Sequence, residues 1–486
     1  MKKHSLLKTL LIIILIIMIA SWFIPITEVT DGAFTESNSA SIGLFNIADY
    51  FSESIQLFCN VSIFVLVVGG FYGVLHKIPQ YRVLLDKIVD GFAGREWIFM
   101  IVIGVIFSLL TAMAGISVPL LFMFPFVISV ILLMGYDKMT AALLTVGSVI
   151  SGLIGTVFCN SGLVGSGFTY ASLTTVPNIF EQFGVEGGSF GAADNFAFKI
   201  VLLVLSLSIV LINTILYARK HQDKKHLVKG YFIPDEVVVD GKQKIMPIAI
   251  IFDVTLLVLT LSFISWNLFG ITFFEDITKN FINPRSGDFI NGLYGSINTI
   301  LGVSIDNVFG AWNLVQAALT VLLASYLISF IYKKTFNSYL TDFVEGVKKA
   351  FMPALLICIS FTIMIMAVES PMQLTILKGI LDLDSGISVI PMVLVALLYC
   401  LFIVDPFFGV AQAASYIGTV VAANTIGLTA LIWQTMYGIA MFVSPVSIIL
   451  LATLSYLEIS YTSWLKSIWK ILLELMFVVL IIMFVF

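Results

Sequence analysis

The stretch WIFMIVIGVIFSLLTAMAGISVPLLFMFPFVISVILLM, residues 97–134, decides how this chain is read. It is apolar throughout, and Gly115, Pro119 and Pro125 interrupt it. One membrane crossing needs about 20 apolar residues, so the run is too long for a single helix. It begins after Arg95 and ends just before Tyr136 and Lys138. Basic residues at both ends mark the cytoplasmic side. A segment that enters and leaves on one side is a re-entrant hairpin: two half-helices with their tip, Ala112–Pro119, near mid-membrane. A tip at that depth persists only where protein buries it or it lines a cavity. Two ordinary spanning helices would have the same parity.

The rest of the chain shares this solvent. Of 486 residues, 59% are hydrophobic and 11% charged, and the mean hydropathy is +1.07. A soluble surface needs far more charge. The net charge of −4 carries no nucleic-acid signature. Cys59, Cys159, Cys358 and Cys400 stand singly in apolar stretches, without the CxxC spacing of a metal or redox site. Lys2, Lys3 and His4 before the run Leu10–Ala20 resemble a signal peptide. No small-x-small cleavage site follows, so the segment reads as a retained first helix.

Apolar runs cover 8–26, 56–76, 97–134, 138–168, 198–218, 246–269, 311–332, 352–370, 387–424, 427–455 and 465–486. Basic residues gather at Lys77, Arg82, Lys87 and Arg95, in the linker 219–244, and at Lys333, Lys334, Lys348 and Lys349. These segments belong on the cytoplasmic side. The segments 27–55, 169–197 and 270–310 are poor in Lys and Arg and belong outside.

The run 387–424 looks like a second hairpin, with Asp405-Pro406-Phe407-Phe408-Gly409 at its centre. Each hairpin is followed by a run broken near its middle: 138–168 at Cys159–Gly162, and 427–455 at Phe442–Pro445. The order helix, hairpin, broken helix, helix therefore occurs twice, once entering from outside and once from inside. That is an inverted-topology repeat, from which many secondary transporters build a mid-membrane site. The expected fold is an all-α polytopic membrane protein with about nine transmembrane helices and two re-entrant hairpins. The N-terminus lies inside and the C-terminus outside. The halves divide as 1–218, with hairpin 97–134, broken helix 138–168 and helix 198–218; a cytoplasmic linker, 219–244; connecting and scaffold helices, 245–351; and a second repeat, 352–486.

Hairpin tips and helix breaks expose half-helix dipoles: N-terminal ends suit carboxylates, and unwound carbonyls suit Na⁺. The candidate binding groups are Thr111, Gly115, Ser117, Thr156, Asn160, Ser161 and Gly162 in the first half. In the second they are Asp405, Gly409, Gln412, Tyr437, Ser444 and Ser447. Small polar residues also serve simply to let helices approach closely. A coupling Na⁺ would sit near Asn160 and Ser444; a coupling proton is the alternative, and no cofactor is expected.

Ionisable residues at bilayer depth are costly and so are functional candidates. Asp253, Glu369 and Asp405 qualify, although the first two also read as interfacial groups and Asp405 also as a helix cap. No Lys, Arg or His is expected within the membrane core. An acid without a basic partner suits a cationic amino group, a Na⁺ ion or a titrating proton. That favours an amino acid, such as arginine or ornithine, over a dicarboxylate, which stays as the alternative. A pump is excluded by the lack of a GxxxxGK[ST] loop, and a metalloprotease by the lack of HExxH. A channel fits inverted hairpins and broken helices less well than a carrier does.

Several stretches resemble the ion-transporter superfamily. They are Val67–Leu75 with its glycines, Gly135-Tyr136-Asp137, Phe343-Val344-Glu345-Gly346, Gly409–Ala413, Ser444-Pro445 and Tyr461–Lys466. More narrowly they resemble the YfcC-like group, named for basic amino-acid antiport, within the anaerobic C4-dicarboxylate carrier family. That group has two glutamates in its first tip, where this chain has Val118 and Pro119. Its second tip carries Ser-Gly-Ser-Gly, against Val404–Gly409 here, and its first break Asn-Pro, against Asn160-Ser161. The resemblance implies elevator-like alternating access of a small-molecule carrier in the inner membrane of a bacterium. It also implies a homodimer formed by a scaffold that includes 8–26, 246–269 and 311–332.

Overall fold

A computed structural model of the chain describes every residue except 1–4, 26, 31–32, 37–40, 158–194, 224–232, 235–244, 265, 267–269, 283–308, 311, 371, 382–388, 405–425 and 486. Helix α1 (Ser5–Ala20) is followed by two short antiparallel strands, β1 (Thr27–Thr30) and β2 (Ala33–Glu36). The all-α expectation did not include this hairpin. Asp31-Gly32, a pair favoured in two-residue hairpin turns, stands between the strands in sequence. The other regular elements among the described residues are helices.

Helices α2 (Leu44–His76), α3 (Pro79–Gly91), α4 (Glu96–Ala114), α5 (Phe124–Leu133), α6 (Lys138–Ile154) and α7 (Phe196–His221) form the first half. Between the halves lie α8 (Met246–Phe263), α9 (Phe273–Ile282) and α10 (Leu314–Ile331). The second half comprises α11 (Phe336–Glu369), α12 (Met372–Leu381), α13 (Val389–Cys400), α14 (Ile426–Val443), α15 (Ile448–Leu457) and α16 (Tyr461–Val485). Eight helices among the described residues are long and apolar enough to cross a membrane, with Gly427–Leu457 taken as one. One of them, α4, is a hairpin arm. Helices α1 and α6, with 16 and 17 residues, fall just short of that length. Exposed side chains such as Ile12, Ile212, Leu257, Leu323 and Phe477 give these helices an apolar outer surface suited to lipid.

The longest contact is antiparallel, between α2 and α11. Ser54 Oγ lies 3.1 Å from Thr362 Oγ1, Phe58 stacks on Phe361 at 4.2 Å, and Ser62 donates to the Ala354 carbonyl at 3.0 Å. Farther along, Lys77 Nζ lies 3.2 Å from Glu345. The helices can meet because glycines face each other: a Cβ added to Gly346 would stand 2.1 Å from the Gly69 carbonyl oxygen. Close backbone approach of this kind drives helix association where lipid removes the hydrophobic incentive. Both helices outrun the apolar runs 56–76 and 352–370, because amphipathic sequence continues them beyond the slab.

The first hairpin has the expected tip but unequal arms. Helix α4 ends at Ala114, Gly115 takes the left-handed conformation (φ 67°), and a 3₁₀ turn at Val118–Phe122 leads into α5. With 19 residues, α4 is about 28 Å long and is no half-helix, whereas α5 has only 10. Asp137 then caps α6, accepting from the Thr140 N–H at 2.8 Å. Helix α6 stops at Ile154, before the expected interruption at Cys159–Gly162, which lies outside the described residues.

Helices α4 and α6 run parallel. A Cβ on Gly104 would meet Ser148 Oγ at 3.1 Å, and one on Gly152 would meet Thr111 Cβ at 2.5 Å. The hairpin tip is therefore level with the break. The second half repeats this: Trp433 Nε1 approaches Met392 Sδ at 3.3 Å, and Tyr437 donates to the Val404 carbonyl at 2.8 Å. Helix α14 continues through Val443 and α15 starts at Ile448, so the break covers Ser444–Ser447, two residues beyond the expected Phe442–Pro445. Three pairs of counterparts, α2 with α11, α6 with α14 and α7 with α16, pack on one another across the halves.

Replacing Gly346 by leucine forces a side chain into the Gly69 backbone. Overpacking costs on the order of 1–3 kcal/mol, so Gly346→Leu should lower the denaturation midpoint in detergent and broaden the size-exclusion peak. An unchanged midpoint would contradict the α2–α11 contact.

Candidate functional site

A helix that stops inside an apolar layer leaves its last carbonyls unpaired, and each needs a partner. Beyond the end of α6 the chain receives one donor from the other half and supplies one to the end of α4. The Val157 N–H donates to the Ala112 carbonyl at 2.8 Å, tying the chain beyond α6 to the end of α4. Thr111 Oγ1 lies 2.9 Å from the Phe107 carbonyl and 3.1 Å from that of Ile116, so one hydroxyl spans the Gly115 turn. Thr156 Oγ1 lies near the Gly152 and Leu153 carbonyls, at 3.1 and 2.9 Å. Ser117 is buried and opens the 3₁₀ turn without a side-chain cap bond. Thr111, Gly115 and Thr156 thus lie around the join of the first tip to the end of α6, and Ser117 follows at the start of the 3₁₀ turn.

The second cluster is built in the same way. Ser444 Oγ donates to the Leu401 carbonyl at 2.7 Å and accepts from the Val446 N–H at 3.1 Å. Ser447, buried, opens α15. The carbonyls at the end of α14 are answered from α16: Trp464 Nε1 donates to Phe442 at 2.8 Å, and the Tyr461 hydroxyl donates to Val443. Asn160, Ser161, Gly162, Asp405, Gly409 and Gln412 lie outside the described residues. Asp253 and Glu369 are exposed.

Two groups that the sequence reading passed over complete the arrangement. Gln434 Nε2 donates to the Thr156 carbonyl at 2.7 Å, joining α14 to the break of α6. Its Oε1 is buried without a partner among the described residues. Beside it, a Cβ on Gly438 would stand 2.7 Å from the Ile154 backbone nitrogen, so the two broken helices touch backbone to backbone. The available signal was that Gln434 is the one amide side chain in the run 427–455.

The second is Lys199. Its side chain, in the first turn of α7, is 2% exposed. Ser206 Oγ lies 3.4 Å from the Ser151 carbonyl, and a Cβ on Gly155 would meet Leu203 Cα at 2.5 Å. Helix α7 thus runs antiparallel to α6. Lys199 lies one turn before Leu203, the residue that packs on Gly155 at the end of α6. The lysine falls inside the run 198–218, where a single charge is averaged away by its neighbours.

Among the described residues no three His, Cys, Asp or Glu side chains gather as a metal site. The first tip and the described helix ends at the breaks are packed, with Thr111 and Ser444 fully buried. A cleft of about 380 Å³ opens elsewhere, between α1, α11 and α15, where Leu6, Lys348, Phe351 and Glu458 line it.

Apolar helices, a re-entrant hairpin and broken helices meeting at depth define a membrane carrier rather than an enzyme. Residues 188–486, more than half of the chain, match the sequence model of DcuC, the C4-dicarboxylate anaerobic carrier, and the chain belongs to that family. A comparison with curated proteins finds no match. Two solved structures are similar over 97% of this chain. One is the YdaH transporter of Alcanivorax borkumensis, 12% identical, 97% covered, TM-score 0.38. The other is MtrF of Neisseria gonorrhoeae, described as illuminating a class of antimetabolite efflux pumps, 13% identical, 93% covered, TM-score 0.34. At those scores neither likeness bears on what this chain carries.

Gln434→Leu leaves the Thr156 carbonyl without its donor, a loss of about 1–3 kcal/mol for a buried acceptor. A sodium dodecyl sulfate titration followed by circular dichroism should show an earlier midpoint. An unchanged midpoint would mean that the bond does not join the halves.

Proposed function

We propose that the chain is a secondary active transporter of C4-dicarboxylates, working by alternating access in the cytoplasmic membrane of a bacterium. The observation that carries this reading is the family match over residues 188–486. It supports the dicarboxylate over the amino acid favoured by the residues alone.

The two hairpin tips and two helix breaks bind the substrate between them. The two halves form an inverted repeat, as supported by the antiparallel packing of α2 on α11 and of α6 on α14. The N-terminus is inside and the C-terminus outside. Hairpins and broken helices move as one unit against α1, α8 and α10, which carry the homodimer contact. Na⁺ is the co-substrate that suits the carbonyl-rich ends of α4 and α6. Ser444 Oγ donates to the Leu401 carbonyl and accepts from the Val446 N–H, which leaves one oxygen lone pair for a cation.

Reconstituted protein preloaded with succinate should accumulate labelled succinate by counterflow, at least about tenfold above empty liposomes, and should leave labelled arginine outside. Arginine exchange without succinate uptake would replace this reading with amino-acid transport.

A further inference from the structure

We infer that the cleft between α1, α11 and α15 is a binding site for one anionic phospholipid, with the lipid phosphate at Lys348 and an acyl chain along the apolar lining. The site does not depend on which solute the chain carries.

The cleft lies at one boundary of the apolar layer, where the runs 8–26 and 352–370 begin and the run 427–455 ends. Helix α11 packs on both α1 and α15. Between those two neighbours a space of about 380 Å³ stays open, within the range of small-ligand sites, about 300–1,000 Å³. Its lining changes character with depth. Glu345, Lys348, Lys349 and Glu458 stand at the outer end, and Leu7, Phe351, Met352, Leu356 and Leu454 line the rest. Lys348 and Leu356 are about 12 Å apart along the axis of α11. A soluble anion would gain nothing from the apolar wall, and a neutral lipid nothing from the lysines. Lys77 of α2, at 3.2 Å, and Lys349, at 3.6 Å, share Glu345. With Lys348 the basic groups at this end therefore outnumber the carboxylates Glu345 and Glu458. Lys349 and Glu458 hold further contacts within the chain, whereas Lys348 is exposed and forms no ion pair among the described residues. A lysine so placed lays its methylenes along apolar surface and carries its ammonium to headgroup level. Basic pockets between helices at a membrane boundary are suited to anionic headgroups, and each lysine near the surface favours them by about fivefold.

Native mass spectrometry of the detergent-purified chain, titrated with phosphatidylglycerol or phosphatidylethanolamine of matched acyl chains, tests the site. The unaltered protein should hold one phosphatidylglycerol at least about fivefold more tightly than phosphatidylethanolamine. Lys348→Gln should remove that preference and leave phosphatidylethanolamine binding nearly unchanged. Lys466→Gln, which removes an exposed lysine outside the cleft, should keep it. Leu7→Trp should fill the apolar end and weaken both lipids together, and millimolar inorganic phosphate should leave the lipid bound. Equal affinity for the two lipids in the unaltered protein overturns the assignment, as does a preference kept in Lys348→Gln or lost in Lys466→Gln. Release by phosphate would make a free anion the ligand in place of a lipid, and undiminished binding in Leu7→Trp would take the acyl chain out of the cleft; either result overturns it too.

Discussion

Carbonyl groups at the end of a helix must find donors, and inside a bilayer there is no water to supply them. The central architecture follows from how this chain meets that demand twice. At the end of α6, Val157 reaches Ala112 in the hairpin tip, and Gln434 reaches Thr156 from the other half. At the end of α14, Ser444 reaches Leu401, while Trp464 and Tyr461 answer Phe442 and Val443 from α16. Each break thus draws some of its partners from outside its own helix. It ties together the tip, the broken helix and a neighbour, and this places irregular, ligand-capable backbone at depth.

Close packing makes those bonds geometrically available. Gly438 lets α14 lie directly on Ile154, and Gly152 and Gly155 admit Thr111 and Leu203. Each of these glycines permits a backbone contact that any side chain would block. The described part of the resulting cluster is buried, with Thr111 and Ser444 fully enclosed.

Much of this was legible in the sequence, because hydropathy and charge report directly on where a segment lies in a bilayer. The Gly115–Pro119 interruption located the first tip, and Ser444-Pro445 located the second break. Hydropathy says nothing about where a helix actually stops, however. Val157 and Phe158 continue the apolar run, while the helix ends at Ile154 because Gly155 packs on Leu203 and Val157 turns to bond Ala112. The arms of the first hairpin looked equal because its glycine and prolines stand mid-run, yet α4 continues helical through Ala114. Gln434 escaped notice because its partner is 278 positions away. Lys199 escaped because a window average hides one lysine among apolar neighbours.

Cross-linking between Thr156→Cys and Gln434→Cys, with the native cysteines replaced and a protease site placed in the linker 219–244, probes the join between the halves directly. A short bis-thiol reagent should hold the cleaved halves together as one full-length band under denaturing conditions. A second form, pairing Ser62→Cys with native Cys358, whose sulfur lies 3.1 Å from Ser62 Oγ, serves as the reference. Retention of the reference band together with complete separation of the Thr156–Gln434 pair would contradict the account, because the two breaks would then not share a partner.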